Sequence, residues 1–429
     1  MNTKNFKLLP IAFAASLFIL SSCAKDDDQM NVTTKTITIE NVLDSKLLVE
    51  SGTFRNTGTP PVVHPGESIS FSFYAGPGQY LSFASMYGWS NDLFFAPNNP
   101  GIKLYDDNGM PLTGDVSSQI ELWDNGTRVN QAPGSSVTHP GVAETTAKNI
   151  KKVGGTTDDY GHTFLAASKL MSVMIAYNGN SNFTVTIANI SGGTANETPF
   201  SPGVWAISYV AGGNLLMPNP IYTQGQPSAN GLTDIAEAGN VTNLSTYLSS
   251  NTGAFTGLSP VLVVVYKDDK NPFFQIGERD KGEGLANIAQ KGDATALSAA
   301  LKSKSGVKSV YVLEAASTKA LLPRINGAAG GKVSQVLSLE DGDKIAIATM
   351  YGSSSDWFFA TKPGDIDASA TGDVSSHIDL FDDGTTIDQF PGAGIRPAPS
   401  ASRAILPLPN PNKYTTIPAT TSIIKVTLQ

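Results

Sequence analysis

Cysteine is nearly absent: Cys23 is the only one in 429 residues. The chain therefore has no internal disulfide, no thiolate metal cluster and no cysteine nucleophile in its body, and its fold must rest on packing. Histidine is scarce as well. His64, His139, His162 and His377 show no HExxH or HxH spacing, so a zinc site has no support. There is no GxSxG elbow, no P-loop and no dinucleotide fingerprint. Charged residues make up 15% of the chain and acids outnumber bases, with a net charge of −8. Such a surface repels nucleic acid and favours divalent cations. The apolar run "LLPIAFAASLFIL" at 8–20 is shorter than the roughly 20 residues that cross a bilayer.

That run has the marks of a signal peptide, with Lys4 and Lys7 before it and "LSSC" after it, so residues 1–22 are expected to be removed. The small-residue pair before Cys23 resembles the lipobox of bacterial lipoproteins, which implies a lipid on Cys23 and a membrane anchor. "AKDDD" follows and resembles the export signal that carries lipoproteins of Bacteroidetes-type bacteria to the outer face of the outer membrane. Residues 23–35 read as this lipidated cysteine and an acidic, flexible stalk. Loss of the two lysines with the leader takes the net charge of the mature chain from −8 to −10.

What the chain has in quantity is glycine and proline, 41 and 26, together with Ser, Thr, Asn and Val. This composition favours many short strands joined by turns, and the fold class expected is mainly β. "ESISFSFYA" (67–75) alternates, with Ile69, Phe71 and Phe73 on one face, and "TITIENV" (36–42), "FTVTIANI" (183–190) and "SIIKVTLQ" (422–429) read as further half-buried strands.

The chain also repeats itself. "FASMYGWSNDLFFAP" (83–97) matches "IATMYGSSSDWFFAT" (347–361), and "TGDVSSQIELWDNGT" (113–127) matches "TGDVSSHIDLFDDGT" (371–385). A second repeat, "GLTDIAEAGNVTNLSTYL" (231–248) and "GLANIAQKGDATALSAAL" (284–301), reads as two helix pairs, each after a strand-like "SP" segment. Gly239 and Gly292 break the pairs, and Asn240 and Asp293 cap the second helices. The expected organisation is unit one at 36–190 and unit two at 256–429. The block at 191–255 is either part of a duplicated insert of unit two or a piece of unit one outside its span.

"SNDLFFA" with "ELWDNGT", and "SSDWFFA" with "DLFDDGT", resemble the spondin N-terminal domain, and the helix block after an "SP" strand is similar to that family too. The resemblance implies two antiparallel, C2-like β-sandwich units with short helical inserts. It also implies a calcium ion held by the first motif's aspartate and the second motif's two aspartates. Carried over, these are Asp92 and Asp124 in unit one, and Asp356 and Asp382 in unit two. The third aspartate does not carry over, because Arg128 and Thr386 stand there. Asn125 and Asp383, or Asn130 and Asp388, could supply an oxygen in its place, and unit two, with more acids, is expected to be the better site. The competing reading makes Asp-Asn-Gly and Asp-Asp-Gly plain turns and the Phe-Phe pairs core.

The function implied is non-catalytic adhesion or ligand binding at the cell surface, toward a matrix protein or a glycan, dependent on calcium. An accessory lipoprotein of an outer-membrane complex is the alternative. A carbohydrate-active enzyme, with exposed Trp89, Trp123, Trp205 or Trp357 beside two carboxylates, is a third reading.

Overall fold

A computed structural model describes residues 32–429. The leader, Cys23 and most of the expected stalk lie outside the described residues. The end of that stalk is already structured: Thr33, Thr34 and Lys35 open the strand Thr33–Asn41 and pair with Leu339, Ser338 and Leu337.

The protein is mainly β, with antiparallel sheets and four short α-helices among the described residues. Each unit is a four-stranded sheet packed on a larger one. In unit one, Phe71, Phe73 and Phe183 of the small sheet meet Leu81, Phe83, Phe95 and Leu122 of the large sheet in one cluster. A helix pair covers the other face of the large sheet. Leu232, Ile235 and Leu244 pack there on Ala84, Phe94 and Trp123. Unit two repeats both layers, with Phe359 in the inter-sheet core and Phe358 under its helices. The Phe-Phe pairs are thus core on both sides of a central strand. Double-sided burial also explains why "VLVVVY" (261–266) is apolar throughout rather than alternating. The helices end as expected, with Gly239 and Gly292 in the left-handed region. Asn240 and Asp293 accept hydrogen bonds from the N–H groups of Thr242 and Thr295.

The strand order corrects the expected boundaries. The first strand, Thr33–Asn41, lies between Lys332–Leu339 and Ile424–Leu428 and completes the small sheet of unit two. The same place in unit one is filled by Asn182–Asn189, between Ser68–Tyr74 and Met171–Tyr177. Phe200–Ser208 pairs with Leu48–Phe54 and Tyr80–Tyr87 and so belongs to unit one, as do the helices Leu232–Ala238 and Thr242–Ser250 on it. Unit one is therefore a circularly permuted copy inserted between the first and second strands of unit two. Its two ends meet, since Leu47 and Leu48 donate their N–H groups to the carbonyl of Asn251, at 3.0 and 2.9 Å. Adjacent ends are what allow a domain to be inserted.

The units also touch through a loop of unit two. Phe390 stacks on Tyr74 at 5.1 Å between ring centroids and joins the core cluster of unit one. Gln79 Nε2 donates to the carbonyl of Gly392 at 2.8 Å. The repeat has Ala132 where unit two has Phe390, so this anchor exists in one copy alone.

Candidate functional site

In both units the first-motif aspartate sits just before a central strand and the second-motif aspartate ends the neighbouring one. Leu93 pairs with Asp124, and Trp357 with Asp382. The ladder therefore brings Asp92 next to Asp124 and Asp356 next to Asp382. The turn reading is also visible, because Asp124 and Asp382 each accept the N–H two residues on, from Gly126 and Gly384, both at 2.8 Å. That uses one oxygen of each carboxylate and leaves the other.

In unit two, oxygens of Asp356, Asp382 and Asp388 lie within 4.8 Å of one another, a group that could hold a metal ion. Asp388 takes the place of the missing third aspartate. It is steered by Trp357, whose Nε1–H donates to its Oδ1 at 3.1 Å, and by the loop that Phe390 anchors to unit one. Thr386 contributes its backbone, with its N–H donating to Asp356 Oδ2 at 2.7 Å. Asp383 is not in the triad. It is buried and accepts from Thr385 Oγ1 at 2.8 Å, because it follows Asp382 at the strand end and points the other way. Its Oδ1 and the Thr386 hydroxyl are buried with no hydrogen-bond partner.

The triad has a neighbour that sequence reasoning missed. Arg403 Nη1 lies 3.0 Å from Asp382 Oδ2 and 3.2 Å from Asp388 Oδ2, and 44% of its side chain is exposed. Its counterpart in unit one is seen only in the fold: Lys148 and Arg403 both donate a backbone N–H to the carbonyl of the glycine of the second motif, Gly126 and Gly384. Lys148 turns instead to Glu144, at 2.6 Å.

In unit one Asp92 is fully buried, and its Oδ2 accepts from the backbone of Thr127 and Arg128 at 2.7 and 2.8 Å. The Arg128 guanidinium is held by Glu237 at 2.6 Å. Asn130 Nδ2 donates to Asp124 Oδ2 at 2.9 Å, so Asn130 here serves as a donor where Asp388 is an acceptor. Asp92 Oδ1, Asn125 Oδ1 and Asn130 Oδ1 are buried acceptors with no donor. Buried polar atoms are seldom left so. Unit one thus offers two carboxylates and amide oxygens, and unit two three carboxylates. "GDVSS", expected as a turn, is in both copies a two-residue edge strand, Gly114–Asp115 and Gly372–Asp373, that runs into a 3-10 helix, with Asp115 and Asp373 accepting from the N–H of Ser117 and Ser375.

No protein-family model matches the chain, and no curated protein matches it. Among the described residues no helix is long and apolar enough to cross a membrane.

Burial, reinforced by Asp124, pushes Asp92 up to about 7. Burial, then Asp388 and Asp356, pushes Asp382 up to about 6, and burial pushes Asp383 up to about 7. These groups have an ordinary value of 3.8. Between about pH 4 and 7 the folded state therefore holds protons that the unfolded state has released, and stability falls as pH rises. In chelator the melting temperature is expected to drop from pH 5 to pH 8, and calcium at pH 8 should restore the part of the loss that comes from Asp382, the one of these three groups in the triad. A melting temperature that rises over this range in chelator contradicts the assignment.

Proposed function

We propose that this is a lipid-anchored surface protein of two spondin-like sandwich units that binds ligands without catalysis, with calcium ordering the loops at the motif end of unit two. The observation that carries it is the triad of Asp356, Asp382 and Asp388. Oxygens 4.8 Å apart can share one ion at calcium–oxygen distances of about 2.3–2.6 Å. The Thr386 hydroxyl, on the loop between Asp382 and Asp388, is a buried oxygen without a partner, and water can supply the remainder. The half-exposed Arg403 head can swing aside as a cation enters. Cys23 would tether the chain to the outer membrane, and two modules on one tether gain avidity toward a multivalent matrix or glycan surface.

Calcium that binds the folded state alone raises stability by about 2.7 kcal/mol at a hundred times its Kd. The full chain should melt higher in calcium than in chelator, and Asp382→Asn should remove more of that shift than Asp92→Asn. Equal melting in both buffers would sink the calcium reading.

A further inference from the structure

The two copies serve as controls for each other, and beside the aspartate loops they differ in three groups at once. Trp89, Arg128 and Glu237 of unit one align with Ser353, Thr386 and Gln290 of unit two. The scaffold does not need the first set, since the second fills the same places in the same fold. The Thr127 hydroxyl donates to Glu237 Oε1 at 2.7 Å, and unit two keeps that contact as Gln290 Nε2 to Thr385 Oγ1, at 2.9 Å, without the charge. What unit one has in addition is an ion pair and an indole.

These three groups line one cleft of about 830 Å³, whose walls include His139, Pro140 and Pro202. Of the four tryptophans, Trp123, Trp205 and Trp357 are buried, and Trp89 alone is half-buried, with part of its ring packed on the core. Arg128 Nη2 sits 2.6 Å from Glu237 Oε2, and Arg128 Nε is buried without a partner. The pair is neutral overall, so the cleft has no charge preference, yet it offers donors and an acceptor side by side. A broad apolar surface with a few converging polar groups is the make-up of a small-ligand site.

We propose that this cleft binds a neutral saccharide. The apolar C–H face of a pyranose would lie on Trp89, with adjacent hydroxyls donating to Glu237 and accepting from Arg128. This rests on the ligand-binding reading above and assigns that role to unit one, leaving the cation to unit two. The equivalent cleft of unit two, about 770 Å³, is lined by Ser353 and Lys291 and has no tryptophan.

The test is titration of the full chain with neutral cello-, chito-, manno- and xylo-oligosaccharides, read by tryptophan emission and calorimetry, in calcium and in chelator, with decaproline as a competing occupant. At least one saccharide should saturate the cleft and shift the emission. Trp89→Ser and the double variant R128T/E237Q, which rebuild the chemistry of unit two, should each weaken binding by about tenfold or more, equivalent to 1.4 kcal/mol. R128T/E237Q removes both charges together, so it should melt within a few degrees of wild type. No binding across the panel, binding of decaproline instead, or unchanged affinity in both variants overturns the proposal. Saccharide binding that persists in chelator supports the cleft even where the calcium reading fails, and a calcium shift without saccharide binding overturns the cleft alone.

Discussion

A chain that begins at residue 46 is expected to lose unit two, at the far end of the sequence, while unit one still folds. The missing strand Thr33–Asn41 is the inner strand of the small sheet of unit two, hydrogen-bonded on both edges. Ile37 and Ile39 are fully buried in the core of that unit, and each contributes about 1.5–3 kcal/mol by burial. The two neighbouring strands would also lose partners for backbone groups, at about 1–3 kcal/mol for each one left buried. Together these losses match the whole stability of an ordinary domain, about 5–15 kcal/mol. Unit one keeps all its strands, because its small sheet is closed by Asn182–Asn189. Without Phe390 and Ala393 over its core it should melt lower but still cooperatively. Calorimetry should show one transition in place of the wild-type pattern, and proteolysis should leave a fragment that ends near residue 256. A truncated chain in which residues 258–429 stay protected would contradict the permuted topology.

The second large effect is expected at Arg403. Its guanidinium lies against Asp382 and Asp388, with Lys413 Nζ 3.9 Å from Asp388 as a weaker neighbour. In Arg403→Gln three clustered carboxylates lose most of their compensation. Removing one partner of a fully buried pair costs about 3–5 kcal/mol. With 44% of the Arg403 side chain exposed, solvent screening reduces this to about 1–3 kcal/mol. In chelator the variant should melt several degrees below wild type. In calcium the order should narrow or reverse, because the ion no longer has to displace a resident cation, and the calcium-induced shift should exceed that of wild type. A smaller shift would mean that Arg403 is a partner of the ion and not its rival.

The elements were legible because alternation and repetition are local signals. Ser68–Tyr74, the helix pairs and their glycine ends, and the Phe-Phe core all lie where pattern alone puts them. Which strands pair was not legible. Thr33–Asn41 and Asn182–Asn189 carry the same apolar alternation, and nothing in that alternation says which sheet each will complete. At the site, Asp92, Asp124, Asp356 and Asp382 could be read from the repeat, since strand ladders bring them together. Choosing Asp388 over Asp383 needed the direction of a strand end and the pull of Phe390 toward unit one. Arg403 returns to the site from a separate loop, and no spacing rule marks it. Glu237 reaches Arg128 from a helix whose apolar face was all the sequence displayed.

The role of Asp388 also explains why two such similar copies need not share one task. Unit two has Trp357 to hold Asp388 and Phe390 to fix its loop, where unit one has Leu93 and Ala132. Unit one has Asn130, whose amide is spent on Asp124. The copies therefore differ both in the residues around the aspartates and at the third carboxylate itself, where Asn130 stands for Asp388.

The central claim is that one cation binds at Asp356, Asp382 and Asp388. Calorimetric titration of calcium into the full, chelator-treated chain at pH 8 tests it most directly, beside the variant Asp388→Asn. The account predicts saturable binding in wild type that Asp388→Asn abolishes or weakens by about tenfold or more, equivalent to 1.4 kcal/mol. Absence of binding heat in wild type, or equal binding in Asp388→Asn, would contradict it.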